Sequence, residues 1–308
     1  MRVKSVFDGM ACGLVALKRA GIKVSRYQAS EIDKYAIKVA KKNHPEIEHE
    51  GDVREVKGSK DVDLLIGGSP CQGFSFAGKQ LNFEDPRSKL FFEFVRIKEE
   101  CWPGIKFLLE NVKMKKECQD VISEILGVEP IEINSSLVSA QNRCRLYWTN
   151  INGVEQPKDK GIMLKDIIQD GFVDRDKSFC IDANYFKGGN LKSYFEKHRR
   201  QLVFSNNQMC HIGNADIKGN DSIKRVYHIE GKSPTLTTMG GGHREPKILN
   251  PDGLTWRKLT PLECERLQTL PDSYTEGVSN TQRYKMLGNG WTVDVIAHIF
   301  KGLKTRRA

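Results

Sequence analysis

The sequence lacks the long apolar segments and the cysteine spacings of membrane and secreted proteins. Within its 308 residues, no uninterrupted apolar run approaches the roughly 20 residues that span a bilayer. The N-terminus does not have the basic-then-apolar layout of a signal peptide. The eight cysteines contain no CxxC pair, which argues against a zinc site and against a disulfide framework. We therefore expect a protein that is not exported and binds no metal, in which most cysteines are small buried residues.

The first strand-helix junction lacks the GxGxxG fingerprint of dinucleotide-binding proteins. It reads FDGMACG over residues 7–13, which counts against a nicotinamide-dependent dehydrogenase. The formal net charge is +10, and this excess of lysine and arginine favours a polyanionic partner. Charge alone is weak evidence, because part of the excess lies in the C-terminal LKTRRA (residues 303–308).

The first 150 residues or so alternate between strand-like and helix-like segments. The strand-like segments are 3–7, 24–32, 61–68 and 105–112; the helix-like segments are 13–22, 34–44, 88–101 and 116–126. Such alternation predicts a parallel α/β sheet. From about residue 155 to 245 the sequence is rich in Gly, Asn and Lys and has weak periodicity, which indicates a smaller, irregular second domain.

Regular structure returns near the C-terminus. Thr260, Pro261 and Glu263 form the pattern of a capped helix start, and they open a predicted helix over 259–270. A further amphipathic helix is predicted over 292–303.

Polar residues follow several predicted strands, where an open parallel sheet binds its ligands. Gly9 and Gly13 allow a tight turn that brings backbone amides close to a ligand. Glu31 ends the next strand, where a carboxylate can bind both ribose hydroxyls, and Asp52 could accept from an adenine amino group. Phe7 could stack on the adenine ring. Ordinary α/β turn chemistry explains these residues equally well.

Two further strand ends carry candidate catalytic residues. Cys71 lies in Pro70-Cys71-Gln72, on a loop where nearby amides or cations can favour its thiolate. Glu110 follows a buried strand, where a carboxyl group can hold a proton for delivery. Each has a plain alternative: a cysteine is usually a buried hydrophobic residue, and such a glutamate usually anchors a loop.

The segment SAQNRCRLYW (residues 139–148) places three polar side chains two residues apart. In a strand Gln141, Arg143 and Arg145 share one face, and such a row suits phosphate or carbonyl oxygens. The alternative is a solvated edge strand.

In this order, the segments resemble the motifs of the C5-cytosine methyltransferase family over nearly the whole chain. The matching segments are FDGMACG (7–13), EID (31–33), GDV (51–53), SPCQGFS (69–75), DPRSKLFFEF (85–94), LLENV (108–112), QNRCRLYW (141–148), RKLTPLECERLQTLPDSY (257–274) and LGNGWTVDVI (287–296).

The resemblance implies a Rossmann-like α/β catalytic domain that binds S-adenosylmethionine, and a smaller, irregular target-recognition domain. The first is expected over 1–155 plus 279–308, and the second, with the hinge, over 156–278. The substrate is expected to be cytosine in double-stranded DNA, flipped out of the duplex because its reacting atoms are inaccessible in a stack.

The resemblance also assigns site residues. Cys71 is expected to attack C6 and Glu110 to hydrogen-bond or protonate N3, with Arg143 and Arg145 supporting the flipped base. The cofactor-binding residues are expected to be Phe7, Asp8, Gly9, Met10, Ala11, Cys12, Glu31, Ile32, Asp52, Val53, Pro70, Asn289, Gly290 and Trp291. The DNA-binding residues are expected to be Gln72, Ser75, Arg199, Arg225 and Arg244, of which the last three can equally be exposed loop residues.

The sequence departs from the pattern of many bacterial members in two places. Ala11 and Cys12 replace the later glycines of FxGxGG, and the last motif reads GNGWTV rather than GNAV-Pro. Both features, together with LFFEF (90–94), resemble the catalytic domain of animal de novo DNA methyltransferases and suggest that Asn289 and Trp291 touch the cofactor.

The sequence leaves two alternative functions open. A tRNA cytosine methyltransferase would share the scaffold, but its CFT-containing signature is absent. A catalytically silent DNA-binding relative would have lost the nucleophile or the acid, and both are present. The target sequence, a paired restriction endonuclease and the oligomeric state are left open; in a bacterium or virus-infected cell the protein is expected in the cytoplasm, at the nucleoid.

Overall fold

A seven-stranded sheet forms the centre of the computed structural model, which describes residues 1–69, 89–204, 211–214, 225–227, 247–248 and 256–304. The strands are β1 (Arg2–Val6), β2 (Arg26–Ser30), β3 (Glu48–Gly51), β4 (Leu64–Gly67), β5 (Lys106–Val112), β6 (Pro130–Asn134) and β7 (Cys144–Thr149), in the order β3-β2-β1-β4-β5-β7-β6. The prediction of an α/β sheet is confirmed.

The direction of β7 determines which residues reach the functional edge of the sheet. Strands β1 to β5 are parallel, whereas β7 runs antiparallel to both β5 and β6. The start of β7 therefore lies beside the end of β5, and Arg145 is in register with Val112. Because β6 covers the outer side of β7, the alternative of a solvated edge strand is wrong.

Helices cover both faces of the sheet. They are α1 (Cys12–Arg19), α2 (Lys34–Asn43), α3 (Lys89–Glu100) and α4 (Lys116–Leu126), and α8 (Val293–Phe300) near the C-terminus. Alternate residues of each strand enter opposite cores: Leu64 and Ile66 pack with α1, α2 and α8, while Leu65 packs with α3 and α4. This two-sided burial explains the continuous apolar strands in the sequence.

Short elements follow from residue 164 onward. They comprise α5 (Leu191–Lys197), a pair β8 (Leu202–Phe204) and β12 (Trp256–Lys258), and a three-stranded sheet of β9 (His211–Asn214), β10 (Arg225–Tyr227) and β11 (Lys247–Ile248). Tyr194, Leu202 and Phe204 form a small separate core here. These short elements agree with the irregular structure that the composition predicts for this part of the chain.

Two further helices precede α8, namely α6 (Pro261–Leu267) and α7 (Asn280–Asn289). The predicted capping box is confirmed: Thr260 Oγ1 accepts from the Glu263 backbone N–H, and the Glu263 carboxylate accepts from that of Thr260. Glu263 and Glu265 are both fully buried, and each forms an ion pair with an arginine, Arg257 and Arg283 respectively.

Among the described residues, no helix has the length and apolar character needed to cross a bilayer.

Candidate active site

Glu110 occupies the carboxyl edge of the sheet, near the end of β5, and is 8 % exposed. Its Oε1 lies 3.0 Å from Arg145 Nε, and its Oε2 accepts a hydrogen bond of 3.1 Å from the indole Nε1 of Trp291. The strand register explains the first contact, since Arg145 lies two residues before Tyr147, the residue paired with Glu110. The carboxylate is thus held by an ion pair and a hydrogen bond from distant parts of the chain.

The end of β4 lies directly against this carboxylate. A side chain at Gly68 would bring its Cβ within 3.1 Å of Glu110 Oε2 and 2.9 Å of Trp291 Nε1, so only glycine fits without displacement. The buried Asn111 amide donates to Ser69 Oγ at 3.2 Å and fixes the last described residue of this segment. Pro70, Cys71, Gln72 and Ser75 come next in the chain and lie outside the described residues.

Arg143 and Gln141 connect the start of β7 to two other segments. The buried Arg143 guanidinium donates to the Ile181 carbonyl and to the carbonyls of Gly288 and Gly290, at 3.0–3.1 Å. The Gln141 side chain accepts from the Ile181 backbone N–H. Only Arg145 lies in β7 itself. The side chains of Gln141, Arg143 and Arg145 nevertheless contact the same segment, residues 180–181, since the Arg145 Nη2 lies 4.0 Å from Cys180 Sγ.

The loop after β1 presents a buried carboxylate with one free oxygen. Asp8 Oδ1 accepts from Ser5 Oγ and Tyr27 Oη, each at 2.6 Å, whereas Oδ2 is buried and has no hydrogen-bond partner among the residues that the structure describes. Burial raises the pKa of Asp8 to about 6, and the nearby Glu31 adds to the shift. A buried acceptor without a partner is a candidate ligand contact.

Glu31 and Ile32 follow β2 on the same edge. The Glu31 carboxylate accepts three backbone N–H groups, from Gly9, Ile32 and Asp33, each at 2.8 Å. A carboxylate has about four acceptor positions, so one remains. The Ile32 side chain is 73 % exposed, unlike nearly all other large apolar side chains that the structure describes.

Asp52 follows β3 and pairs with Arg54, whose hydrogen bonds lower the pKa of Asp52 to about 2. Phe7 is half-buried and packs against the core beside α3. These two residues lie at the predicted strand ends.

The remaining predicted cofactor residues place their side chains in the core or at the end of α7. Met10, Ala11, Cys12 and Val53 are buried, and burial raises the pKa of the Cys12 thiol to about 12. Asn289 is exposed, Gly290 and Trp291 are half-buried, and Trp291 lies beside Gly13 of α1. Any contact of Met10, Ala11 or Cys12 with a ligand would therefore use backbone atoms.

A family model for C-5 cytosine-specific DNA methylase matches residues 1–126 and 133–305. The chain belongs to this family.

Curated relatives of the family are bacterial and phage proteins. The type II methyltransferase M1.ScrFI of Lactococcus lactis subsp. cremoris is 32 % identical over 301 residues, which cover 89 % of this chain and 70 % of that protein. The orphan methyltransferase M.SPBetaI of Bacillus phage SPbeta is 29 % identical over 434 aligned residues, covering 98 % and 97 % of the two chains.

Solved structures show the same fold. The Entamoeba histolytica methyltransferase EhMeth has a TM-score of 0.69 at 16 % identity, with 99 % of each chain covered. A putative DNA modification methyltransferase from an Escherichia coli prophage has a TM-score of 0.60 at 22 % identity, with 98 % of each chain covered.

The structure brings Glu110, Arg143, Arg145 and Trp291 together, whereas among the predicted DNA-binding residues only Arg199 has a described side chain. Arg199 is exposed and lies 3.2 Å from Asp182. Arg225 belongs to β10, but its side chain is not described, and Arg244 lies outside the described residues.

Sequence reasoning missed the contact between Trp291 and Glu110 and the buried side chains behind it, those of Gln268 and Thr292. No local signal marks such contacts, because the partners are up to 181 residues apart. The one available hint was the tryptophan in GNGWTV, where the family commonly has a smaller residue.

Proposed function

We propose that this chain transfers a methyl group from S-adenosylmethionine to C5 of cytosine in double-stranded DNA, with Cys71 as nucleophile and Glu110 as acid. Family membership supports the reaction and the substrate class. The observation that carries the residue assignment is the Glu110 carboxylate, held by Arg145 and Trp291 beside the segment that leads to Cys71.

Cytosine C5 is a poor nucleophile until C6 has been attacked. Addition of the Cys71 thiolate to C6 converts the ring into an enamine, while Glu110 hydrogen-bonds or protonates N3. C5 then carries the electron pair that forms the new bond to the transferred methyl group. Loss of the C5 proton and release of the Cys71 sulfur restore the aromatic ring. The target base must leave the duplex for these atoms to meet.

The contacts that the described residues make with Glu110 leave it able to bind the base. A carboxylate has about four acceptor positions; Trp291 donates to one oxygen, and the Arg145 guanidinium lies beside the other. A proton carried by Glu110 would be donated to N3 of cytosine, and a free acceptor position suits the exocyclic amino group. Arg145 thus orients the acid, and Arg143 holds the backbone on which Trp291 is placed.

The residues at the ends of β1 and β2 fit the proposed cofactor. When bound, S-adenosylmethionine supplies a methyl group on a positively charged sulfonium. The free Oδ2 of Asp8 suits an ammonium group, and the remaining acceptor position of Glu31 suits a ribose hydroxyl. The exposed Ile32 offers an apolar surface for an adenine ring, as does Phe7, and Asp52 lies at the next strand end. We assign the backbone of residues 9–12, Val53, Pro70 and residues 289–291 to the same pocket.

We assign DNA contacts to Gln72, Ser75, Arg199, Arg225 and Arg244, and target recognition to residues 156–278. The catalytic domain would then comprise 1–155 and 279–308. The names of the relatives include both orphan and type II methyltransferases, so a paired restriction endonuclease is not part of the proposal. A DNA substrate places the protein in the cytoplasm of a bacterial or virus-infected cell.

Replacing the nucleophile tests the proposal directly. Cys71→Ser is expected to abolish transfer of labelled methyl groups to DNA while the equilibrium binding of the cofactor is retained, because the hydroxyl is a far weaker nucleophile than the thiolate. Cys144→Ser is the matched control: its half-buried thiol contacts Glu132 on the far side of the sheet, so both properties should be retained.

Turnover by Cys71→Ser would refute the covalent mechanism. Wild-type transfer to tRNA rather than DNA would refute the substrate class, and bisulfite sequencing of DNA from expressing cells would give the methylated context.

A further inference from the structure

Trp291 is placed between two parts of the proposed active site. Its indole Nε1 donates to Glu110 Oε2 at 3.1 Å, and the other end of its ring lies beside Gly13, at the start of α1. A Cβ at Gly13 would lie 3.5 Å from Trp291 Cζ3. One side chain therefore contacts the acid and also borders the proposed cofactor pocket.

The backbone on either side of Trp291 is fixed by buried polar groups. The Gly290 carbonyl accepts from Arg143 Nη2 at 3.0 Å and from Gln268 Nε2 at 3.2 Å. On the other side, Thr292 Oγ1 donates to Gln268 Oε1 at 2.8 Å and accepts from Ser135 Oγ at 2.9 Å. Gln268 and Thr292 are buried, so these bonds are shielded from water and hold the indole in one place.

The opposite oxygen of Glu110 is fixed in the same manner. Arg145 Nε lies 3.0 Å from Oε1, and the Arg145 Nη1 donates to the Cys144 carbonyl at 2.8 Å. With a guanidinium beside one oxygen and the indole N–H bonded to the other, the carboxylate plane cannot rotate without breaking the hydrogen bond from Trp291. Loss of the indole N–H would leave the ion pair with Arg145 as the remaining contact that the described residues make with the carboxylate, and the plane could turn.

We propose that Trp291 is a positioning residue for Glu110, which sets the orientation of the acid toward the target base independently of the cofactor. The proposal rests on the proposed function. On this proposal, Trp291 does more than line the cofactor pocket.

Hydrogen exchange at cytosine C5 tests the proposal without the cofactor. Once the Cys71 thiolate has added to C6, C5 can take a proton from water. Elimination of the thiolate and loss of the original C5 hydrogen then restore cytosine. DNA tritiated at C5 therefore releases tritium to water in a reaction that needs Cys71 and Glu110 but no methyl donor.

Trp291→Phe keeps an aromatic ring and removes only the N–H. We expect cofactor-free tritium release to fall about 10-fold, which is the usual consequence of losing one hydrogen bond to a charged group. The kcat for methylation should fall to a similar extent, while the cofactor Kd and the KM for DNA change less than about twofold. In a Glu110→Gln background the same substitution should have little further effect, because the oriented group is already altered.

Trp148→Phe is the matched control. Its buried indole also donates one hydrogen bond, of 3.0 Å to Ser123 Oγ, but at a site away from Glu110. This variant should melt at a lower temperature and release tritium at the wild-type rate. If Trp148→Phe lowers the rate of tritium release as much as Trp291→Phe does, loss of stability explains both effects and the proposal is overturned.

Two results distinguish a failure of the positioning role from a failure of the proposed function. If Trp291→Phe releases tritium like the wild type but methylates slowly or binds the cofactor weakly, Trp291 acts through the cofactor and the positioning role is wrong. If the wild type neither methylates DNA nor releases tritium, the proposed function itself fails.

Discussion

The proposed active site and helix α6 both contain buried glutamates, but the hydrogen bonding of these carboxylates differs. In α6, Glu263 accepts four hydrogen bonds, two from Arg257 and one each from the backbone N–H groups of Thr260 and Gln169. Glu265 also accepts four, from the Thr275 backbone and hydroxyl, the Ser273 backbone and Arg283. At the sheet edge, by contrast, the acceptor positions are incompletely filled.

Among the described residues, Glu110 forms an ion pair with Arg145 and accepts a hydrogen bond from Trp291, and Asp8 has one oxygen without a hydrogen-bond partner. A carboxylate whose acceptor positions are all used has none left for a ligand. Open positions on a buried carboxylate cost stability unless a ligand fills them. We therefore expect the number of donors on a buried carboxylate to distinguish a structural from a ligand-binding role in this chain.

The sharpest test of this distinction is Glu110→Gln. The amide preserves shape but cannot hold the proton for N3, so methylation should fall by roughly 10²- to 10⁴-fold, the range for loss of a general acid. Urea unfolding should also show some loss of stability, because the Arg145 guanidinium, 14 % exposed, loses its counter-ion. A large loss of stability with retained activity would reverse the roles assigned to the two regions.

Glu265→Gln should reduce stability without this loss of methylation. Loss of the charge leaves the Arg283 guanidinium, 13 % exposed, without its counter-ion, which typically costs about 3–5 kcal/mol of unfolding free energy. Urea unfolding measures this cost. Glu46→Gln is the control, because the pair with Lys18 is half-exposed on both sides and contributes less than about 1 kcal/mol. Equal effects of the two substitutions would contradict the role given to the buried pair.

Asp8→Asn should have a smaller effect, which depends on pH. The pKa of Asp8 is about 6 in the folded state and about 3.8 when unfolded, so the folded state binds more protons between these values. Wild-type stability should therefore fall as the pH rises from about 4 to 6, by at most about 3 kcal/mol. Asparagine keeps an oxygen for Ser5 and Tyr27 and has no such dependence. Urea unfolding at pH 4.5 and 7 would measure the difference, and parallel pH profiles would contradict the burial argument.

The fold and part of the site could be predicted because their signals are local. The strand ends close to Phe7, Glu31 and Glu110 follow from apolar runs that stop at polar residues, and the helix start at Thr260 follows from a four-residue pattern. The structure confirms these positions.

Other features were not predictable from neighbouring residues. β6 is a five-residue strand with weak alternation, and α7 has only a faint amphipathic pattern, since its sequence is NTQRYKMLGN. The burial of Glu265 and the contact between Trp291 and Glu110 depend on packing between distant segments. Charged residues in a helix ordinarily face solvent, and only the complete fold shows which ones do not.

The turn after β1 contains a residue with a strained backbone conformation. Ala11 adopts a left-handed backbone conformation, with φ 66°, where a methyl group costs roughly 1–2 kcal/mol relative to the right-handed region. Many family members have glycine at this position, and alanine codons become glycine codons by a single nucleotide change. The chain is thus one mutational step from relieving this strain.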